Sequence, residues 1–506
     1  MTRIPLSRRQ LMTLLVAIGC SVAWFTYNIL LSPSERGLTC CDAAEYISQS
    51  MKQDVWWMAG PRVFGYPFFL SLFFRVFRTD AFPPTHTWLV PALAVQLAVW
   101  LVSCGALYCA LRRTGRRYPW IAFVLLVAHP TFSSYAAMTL TDSLATSLFC
   151  LTIAAMVFLQ TGERGYRLPL VVMGITLGLA TTMRPSFQIL SLAVLGVAVV
   201  CLLLRNRADG IGAAQNLKRC GLGLLMFGLG FLPFYGKLVH NCYSAHGYVC
   251  VLDTETMKRV TGEDMWRGIT GVRWWSSLTT DYRSTDDTFV NSLAGDCKVT
   301  QGIGDANPYV WLLRCYARVP LKVPILFLKK FTGGYDNYFL NAYATDETTT
   351  TQRDVNRLFS LVGFLGLFMA TGACAVALVR GRLLSHMYLV VPVVYAFAQV
   401  NSHVEPRYFF PTYPIFFLFA FSQFALFVTK RVWAQIGFWT PLVALTAFFY
   451  VQTWHWDMRD CWFNYSRVRP EVKRMGLMLA CPPEPKVLES LQLYGRYVPT
   501  VPPLQP

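Results

Sequence analysis

Charge is what this sequence has least of. Asp, Glu, Lys and Arg make up 14% of its 506 residues, where a soluble domain carries roughly 25%. Acids are the scarcer sign, 27 against 45 basic residues. A chain so poor in charge and 54% hydrophobic has too little polar surface to be a soluble globule. The net charge of +18 invites a nucleic-acid partner, but the basic residues lie in short loops between apolar runs, as membrane topology requires. That placement argues for membrane lipids and against nucleic acid. No pair of cysteines has zinc-ribbon spacing, which argues against a structural cysteine–zinc site. No small-residue cleavage site follows the first apolar run, so Arg3, Arg8 and Arg9 read as the cytoplasmic flank of an uncleaved span rather than as an export signal. Paired internal repeats, expected of an alternating-access transporter, are also missing.

What is present is a series of apolar runs near 11–31, 88–111, 119–138, 142–160, 168–184, 186–204, 220–238, 356–379, 383–401, 408–429 and 433–453. Several reach the ~20 residues that cross a bilayer as a helix. The sequence therefore predicts an all-α polytopic membrane protein of about eleven spans. Arg112, Arg113, Arg116 and Arg117, then Arg164 and Arg167, Arg205 and Arg207, Arg380 and Arg382, and Lys430 and Arg431 occupy alternate loops. With eleven spans they all share the cytoplasmic side with the N-terminus.

Four regions follow. Residues 1–238 form an N-terminal transmembrane module whose first outer loop is 32–87. Residues 239–355 form a small mixed extracytoplasmic domain that carries Trp266, Trp274 and Trp275 and ends in a Thr-rich linker, Thr348–Thr351. Within it, 308–331 is apolar yet holds Arg314, Arg318, Lys322, Lys329 and Lys330. That pattern suits a helix lying in the interface, although a span remains the alternative. Residues 356–453 supply the C-terminal spans, and 454–506 an outer tail that begins in an aromatic belt. Of fifteen cysteines, Cys40, Cys41, Cys242, Cys250, Cys297, Cys315, Cys461 and Cys481 fall outside, where disulfides are permitted. The other seven read as packing residues.

Ionisable groups at the membrane edge are costly unless paired or used, and so mark candidate sites. Asp42, Glu45 and Tyr46 open the first outer loop, and Arg62 and Tyr66 close it before Pro67. The acid spacing puts both carboxylates on one face if the segment is helical. His129–Pro130 and Thr141–Asp142 bracket the turn between the third and fourth spans. Arg184–Pro185 interrupts the next apolar region, His240, Asn241 and His246 open the outer domain, and His403, Glu405, Arg407 and Tyr408 lie between two late spans. Asp142 reads equally well as a helix-capping acid, Arg184 as a snorkelling side chain, and His129 as a hydrogen-bonded structural histidine. A carboxylate that removes a proton and guanidiniums that hold an anion would suit transfer from a phosphate-linked donor.

The order of motifs resembles that of the GT-C membrane glycosyltransferases, near the dolichyl-phosphate-mannose protein mannosyltransferase and aminoarabinose transferase group. The matching stretches are D-A-A-E-Y from Asp42, R-x-x-G-Y-P from Arg62, H-P-x-x-x-x-Y from His129 with Thr141–Asp142, G-L-A-x-x-x-R-P ending at Arg184–Pro185, H-N-x-x-x-x-x-G from His240, and E-P-R-Y-x-x-P from Glu405. They cover roughly 40–250 and 400–415. The resemblance implies an inverting glycosyltransferase of the plasma (bacterial inner) membrane. It would use a polyprenyl-phosphate sugar donor and a glycan, lipid or protein acceptor, with its active site outside. It implies Asp42 as general base with Glu45 beside it, and Asp142 orienting acceptor or sugar. Arg62, Arg184 and Arg407 would hold the donor phosphate, with Tyr46, Tyr66, His129, His246, His403, Glu405 and Tyr408 around the substrates. It implies no definite cofactor and leaves a divalent metal ion open, with Asp42, Glu45 and His246 as candidate ligands. The rival readings are an O-antigen-type polymerase or ligase, and a non-enzymatic flippase or transporter of lipid-linked sugars.

Overall fold

The computed structural model describes residues 7–31, 42–58, 63–77, 88–114, 118–162, 165–184, 186–249, 308–335, 350–400 and 406–427, together with residues 440 and 444. The described residues are mostly α-helical. In chain order the helices are α1 (Arg8–Leu31), α2 (Asp42–Ser50), α3 (Gly65–Phe77), α4 (Leu89–Leu111), α5 (Trp120–Val127), α6 (Pro130–Ala136), α7 (Asp142–Thr161), α8 (Arg167–Met183), α9 (Ser186–Ala208), α10 (Ala213–His246), α11 (Pro308–Arg318), α12 (Val323–Tyr335), α13 (Thr350–Val379), α14 (Met387–Gln399), α15 (Pro406–Phe409) and α16 (Tyr413–Phe427). Six are long and apolar enough to cross a bilayer: α1, α4, α7, α9, α10 and the Leu358–Val379 part of α13. Shorter apolar helices accompany them at Gly65–Phe77, Trp120–Ala136, Arg167–Met183, Leu383–Gln399 and Tyr413–Gln423. The chain is thus a polytopic membrane protein. The apolar runs foreseen up to residue 429 fall on helices; the run at 433–453 lies outside the described residues, 440 and 444 excepted.

The chain divides into two units. The first comprises Met1–Arg259, Gly334–Gln399 and Pro406–Phe448. At its centre stands α7, packed against α4, α8, α9 and α14. Sixteen of its 20 residues are buried, and a helix enclosed on all sides belongs to the interior of a bundle. Its N-terminal end, which carries Asp142, is enclosed as well. In contrast α1 leaves Leu11, Met12, Leu15, Val16, Val22 and Leu30 exposed, the surface a lipid-facing helix needs. It is held by a polar stripe. Ser21 bonds Ser133 at 2.6 Å, and Trp24 Nε1 and Asn28 Nδ2 donate to Ser134 Oγ at 2.6 and 3.2 Å. In lipid such bonds stand in for the hydrophobic effect, which has no purchase between apolar helices there.

Small residues bring α8 and α10 together. A Cβ on Gly174 would overlap the Phe227 carbonyl oxygen, and one on Gly230 would come within 2.8 Å of the Ile175 nitrogen. Close backbone approach of this kind is how small residues drive helix association in membranes.

Two runs differ from expectation. The span foreseen at 119–138 is two helices meeting at His129, which is extended at ψ 117° and hands the chain to Pro130 at the first position of α6. Proline disfavours the helical region for the residue before it, and this explains the break. The Thr-rich segment expected as a linker is already helical from Thr350, where α13 begins.

The second unit comprises Val260–Gly333, Val400–Glu405 and Phe449–Pro506, of which residues 308–333 and Val400 are described. The apolar-and-basic segment is not one continuous helix. It stops at Arg318, turns through Val319–Lys322, and restarts at Val323. Pro320 enforces the stop, and Pro324 is tolerated in the first turn of the second helix. At 1.5 Å per residue, helices of 11 and 13 residues reach about 16 and 20 Å, short of the ~30 Å hydrocarbon core. Tyr316 meets Phe327 edge-on at 5.7 Å across the turn.

Candidate functional site

α7 starts at Asp142, after Thr141 leaves the turn that follows α6. α8 ends at Met183, and Arg184 is extended at φ −138°, ψ 124°, as the following Pro185 requires. The two interruptions bring the side chains together. Arg184 Nη1 donates to Asp142 Oδ1 at 2.6 Å. Asp142 is 1% and Arg184 8% exposed, so the pair is removed from solvent. The Arg184 guanidinium also lies over the Tyr408 ring, 5.0 Å from its centroid. An ion pair with a cation–π contact on its open face is a desolvated arrangement in which each group offsets the burial cost of the others.

The first loop comes close to the same place through Tyr66. α2 holds Asp42 as its first residue, with Tyr46 one turn on. The Tyr46 ring packs edge-on against Tyr66 at 5.1 Å. Tyr66 is fully buried at the start of α3, where Gly65 fits because a Cβ there would overlap Thr182 of α8. The Tyr66 phenol is within electrostatic reach of Asp142 and lies beside the Gln96 amide. Tyr66 of the first loop therefore lies near Asp142, with Tyr46 packed on it.

A further set of polar atoms surrounds it. Gln96 Nε2 donates to the Ala136 and Met138 carbonyls, each at 3.1 Å. Both partners are acceptors, so the amide nitrogen has to face them and Oε1 has to face away. Gln96 Oε1, Tyr66 Oη, Tyr395 Oη, Ser186 Oγ and Thr146 Oγ1 are all shielded from solvent; Tyr66 has Gln96 as its hydrogen-bonding neighbour and Tyr395 has Ser186. Tyr395 lies within electrostatic reach of Arg184 and Asp142 and beside Ser186. Thr146 is one turn from Asp142 along α7. Tyr395 also packs against Phe149 and Phe187, both at 5.7 Å. Gln96, Thr146, Ser186 and Tyr395 went unnoticed in the sequence, because each lies inside an apolar helix with no motif to mark it.

The remaining expected site residues are positioned as follows. His129 is buried. Its Nδ1 accepts from the Thr131 amide at 3.3 Å and its Nε2 lies 3.1 Å from Tyr413 Oη. Phe132, Phe359, Tyr413 and Phe417 surround its ring. Glu45 is exposed and accepts from Gln49 Nε2 at 3.2 Å. His246 is exposed at the end of α10 and its ring faces Tyr248 at 5.8 Å. Arg407 falls in α15, one residue before Tyr408. Arg62, His403 and Glu405 lie outside the described residues. No group of three or more metal-ligating side chains occurs among the described residues.

No family model matches this sequence, and no curated protein matches it. Two solved structures are similar. One is the archaeal oligosaccharyltransferase AglB from Archaeoglobus fulgidus in complex with an inhibitory peptide and a dolichol-phosphate. It is 13% identical, the match covers 88% of this chain and 55% of that one, and the TM-score is 0.42. The other is the Archaeoglobus fulgidus oligosaccharyltransferase tethered by a disulfide bond to an acceptor peptide, 12% identical over 97% of this chain and 57% of that one, also at TM-score 0.42. This chain spans a little over half the length of either, and a likeness of that size assigns no activity.

Proposed function

We propose that this chain is a GT-C membrane glycosyltransferase of about eleven spans. It moves one sugar, with inversion, from a polyprenyl-phosphate donor to a hydroxyl of a glycan, lipid or protein on the extracytoplasmic face of the bacterial inner membrane. The buried Asp142–Arg184 pair supports this reading best. Motifs far apart in the sequence meet there, and Tyr66 of the first loop lies near Asp142 with Tyr46 packed against it.

In this reading Asp42 accepts the proton of the acceptor hydroxyl. The acceptor oxygen then forms its bond to the anomeric carbon from the face opposite the phosphate. The carbon–oxygen bond to the phosphate breaks, and the polyprenyl phosphate leaves with the electron pair. Arg184, Arg407 and Arg62 would hold the phosphate and stabilise the charge it gains. Asp142 fixes the direction of Arg184. Cys242 and Cys315 are each in a disulfide, while the seven cysteines expected in spans or on the inner side are free. This distribution supports an oxidising environment for the loops after α10.

The test uses the full chain reconstituted in nanodiscs with a labelled polyprenyl-phosphate hexose and an envelope fraction as acceptor source. Release of bare polyprenyl phosphate is measured. Asp42→Asn should slow release by about 10²-fold or more, the usual size of a lost general base, with donor binding unchanged. Full activity in that variant would remove the proposed base. Movement of intact donor between leaflets without release would favour a flippase.

A further inference from the structure

The first outer loop carries the acid of the proposed reaction, yet it is a short helix and a turn rather than a span. Segments of that kind stay in place only through what they pack against. Here the partner is one turn of α10. Asn241 is buried, and its Nδ2 donates to the carbonyl oxygens of Trp56 and Met58 at 2.9 and 3.0 Å. Both partners are acceptors, so the amide nitrogen has to face them. Lys237 stands four positions earlier on the same face of the helix. Its Nζ lies 3.2 Å from the Trp57 ring centroid and 5.2 Å from that of Trp56. Between the two, Leu238 joins Val63 and Phe64 in a small apolar cluster against which Met58 and Phe68 pack. The Trp56 ring meets Phe64 edge-on at 5.0 Å and Phe68 at 4.5 Å. An amide, a cation and an apolar side chain of one helical turn therefore grip the connection between α2 and α3. Backbone bonds from Met51 to Ile47, Lys52 to Gln49 and Trp57 to Asp54 stiffen the path from α2 to that grip.

The same helix is fixed farther back. Gly174 and Gly230 bring the backbones of α8 and α10 into contact, and α8 ends at Arg184. α10 is thus a shared frame. Its middle supports the helix that delivers Arg184, and its far end holds the loop that starts at Asp42. We infer that Asn241, with Lys237 beside it, is a positioning residue for the transfer: it latches the first outer loop to α10, so that Asp42 is held at the acceptor while Arg184 holds the donor phosphate. This rests on the glycosyltransferase reading above and deepens it. Asn241 touches no reacting atom and acts through the loop alone. Displacing a reacting group by about 1 Å can cost about 10²-fold in rate, so a latch remote from the chemistry has a large effect on it.

The test uses the full chain in nanodiscs. It reads release of polyprenyl phosphate from a labelled polyprenyl-phosphate hexose, the Kd of that donor, the melting temperature, and hydrogen exchange of the amides of 42–58. Asn241→Leu keeps the volume and removes both donated bonds. It should lower kcat by about ten-fold or more and speed exchange at 42–58 by a similar factor. Donor Kd and exchange in α7 and α8 should not change. Asn241→Asp turns an oxygen toward two carbonyls and should be at least as damaging. Lys237→Met removes a cation–π contact at an accessible site and should act in the same direction by about two- to five-fold. Lys237→Arg should restore the parent's kcat and loop exchange, because a guanidinium also rests on aromatic faces. A merely structural role predicts that melting temperature, donor affinity and protection in α7 and α8 fall together in Asn241→Leu and Lys237→Met, and that pattern overturns the inference. So does a kcat that ignores all of these substitutions, or a fall in kcat with loop exchange unchanged. Where Asn241→Leu does not fold, the contrast between Lys237→Met and Lys237→Arg decides. If the parent releases polyprenyl phosphate and the variants match it, this inference fails and the glycosyltransferase reading stands. If the parent moves intact donor without release, both fail.

Discussion

Arg184 donates to Asp142 at 2.6 Å with almost no access of either side chain to solvent. The two residues are 42 positions apart, and each stands where an apolar segment is interrupted. Continuum reasoning about buried pairs gives a definite expectation. Removing one partner strands a charge and costs about 3–5 kcal/mol, whereas replacing both with apolar groups of similar volume is close to neutral. Asp142→Asn and Arg184→Met should therefore each lower thermal stability strongly, and Asp142→Leu combined with Arg184→Met should recover most of the loss. Activity should be lost in all three. A double variant as active as the parent would leave the pair with a structural role alone.

The Arg184 contact with Tyr408 separates geometry from charge. The guanidinium is planar, stacks on the ring 5.0 Å away, and still reaches the carboxylate. An ammonium keeps the charge but loses the fork and most of the stacking. Arg184→Lys should fold and keep the pairing, yet lower kcat by about ten-fold or more. Tyr408→Leu should lower stability by roughly 0.5–2 kcal/mol, the range for a desolvated cation–π contact. Equal kcat for Arg184→Lys and the parent would mean that the planar shape is not used.

Much of the architecture was legible because hydropathy records it directly. The α7, α9 and α10 helices follow apolar runs in a chain poor in charge. The pairing of Asp142 with Arg184 was legible only as two suspicious positions, because no periodicity relates residues on different helices. Tyr395 and Gln96 were not legible at all. Each stands in an apolar helix and becomes notable only when its polar neighbours are seen in three dimensions. His129 shows the reverse. A histidine before a proline reads as a site residue or as a structural one, and folding surrounds it with aromatic rings and gives both nitrogens neighbours.

That enclosure makes His129 a test of packing against chemistry. Its Nδ1 accepts from the Thr131 amide at the start of α6, and its Nε2 meets Tyr413 on α16. His129→Ala loses both bonds and leaves a gap, and should cost about 2–4 kcal/mol. Asn is a good helix N-cap but too short to reach Tyr413, so His129→Asn should recover part of the loss. Donor affinity should be unchanged in both variants once they are folded. A fall in donor affinity without a fall in melting temperature would return His129 to the substrate site.

Two glycines in neighbouring helices should respond in opposite ways to the same substitution. A Cβ on Gly174 would overlap the Phe227 carbonyl of α10, whereas one on Gly196 in α9 meets nothing within 4 Å. Gly196→Ala gains helix propensity, at most about 1 kcal/mol, and should raise the melting temperature slightly or leave it unchanged. Gly174→Ala gains the same propensity but has to push two backbones apart, because the obstacle is a carbonyl rather than a flexible side-chain tip. Overpacking of that kind costs about 1–3 kcal/mol, so the melting temperature should fall. α8 ends beside Arg184, so displacing it from α10 should also weaken activity, and Gly174→Ala should lose transfer where Gly196→Ala keeps it. Equal stability of the two variants would mean that the α8–α10 contact is looser than the structure shows.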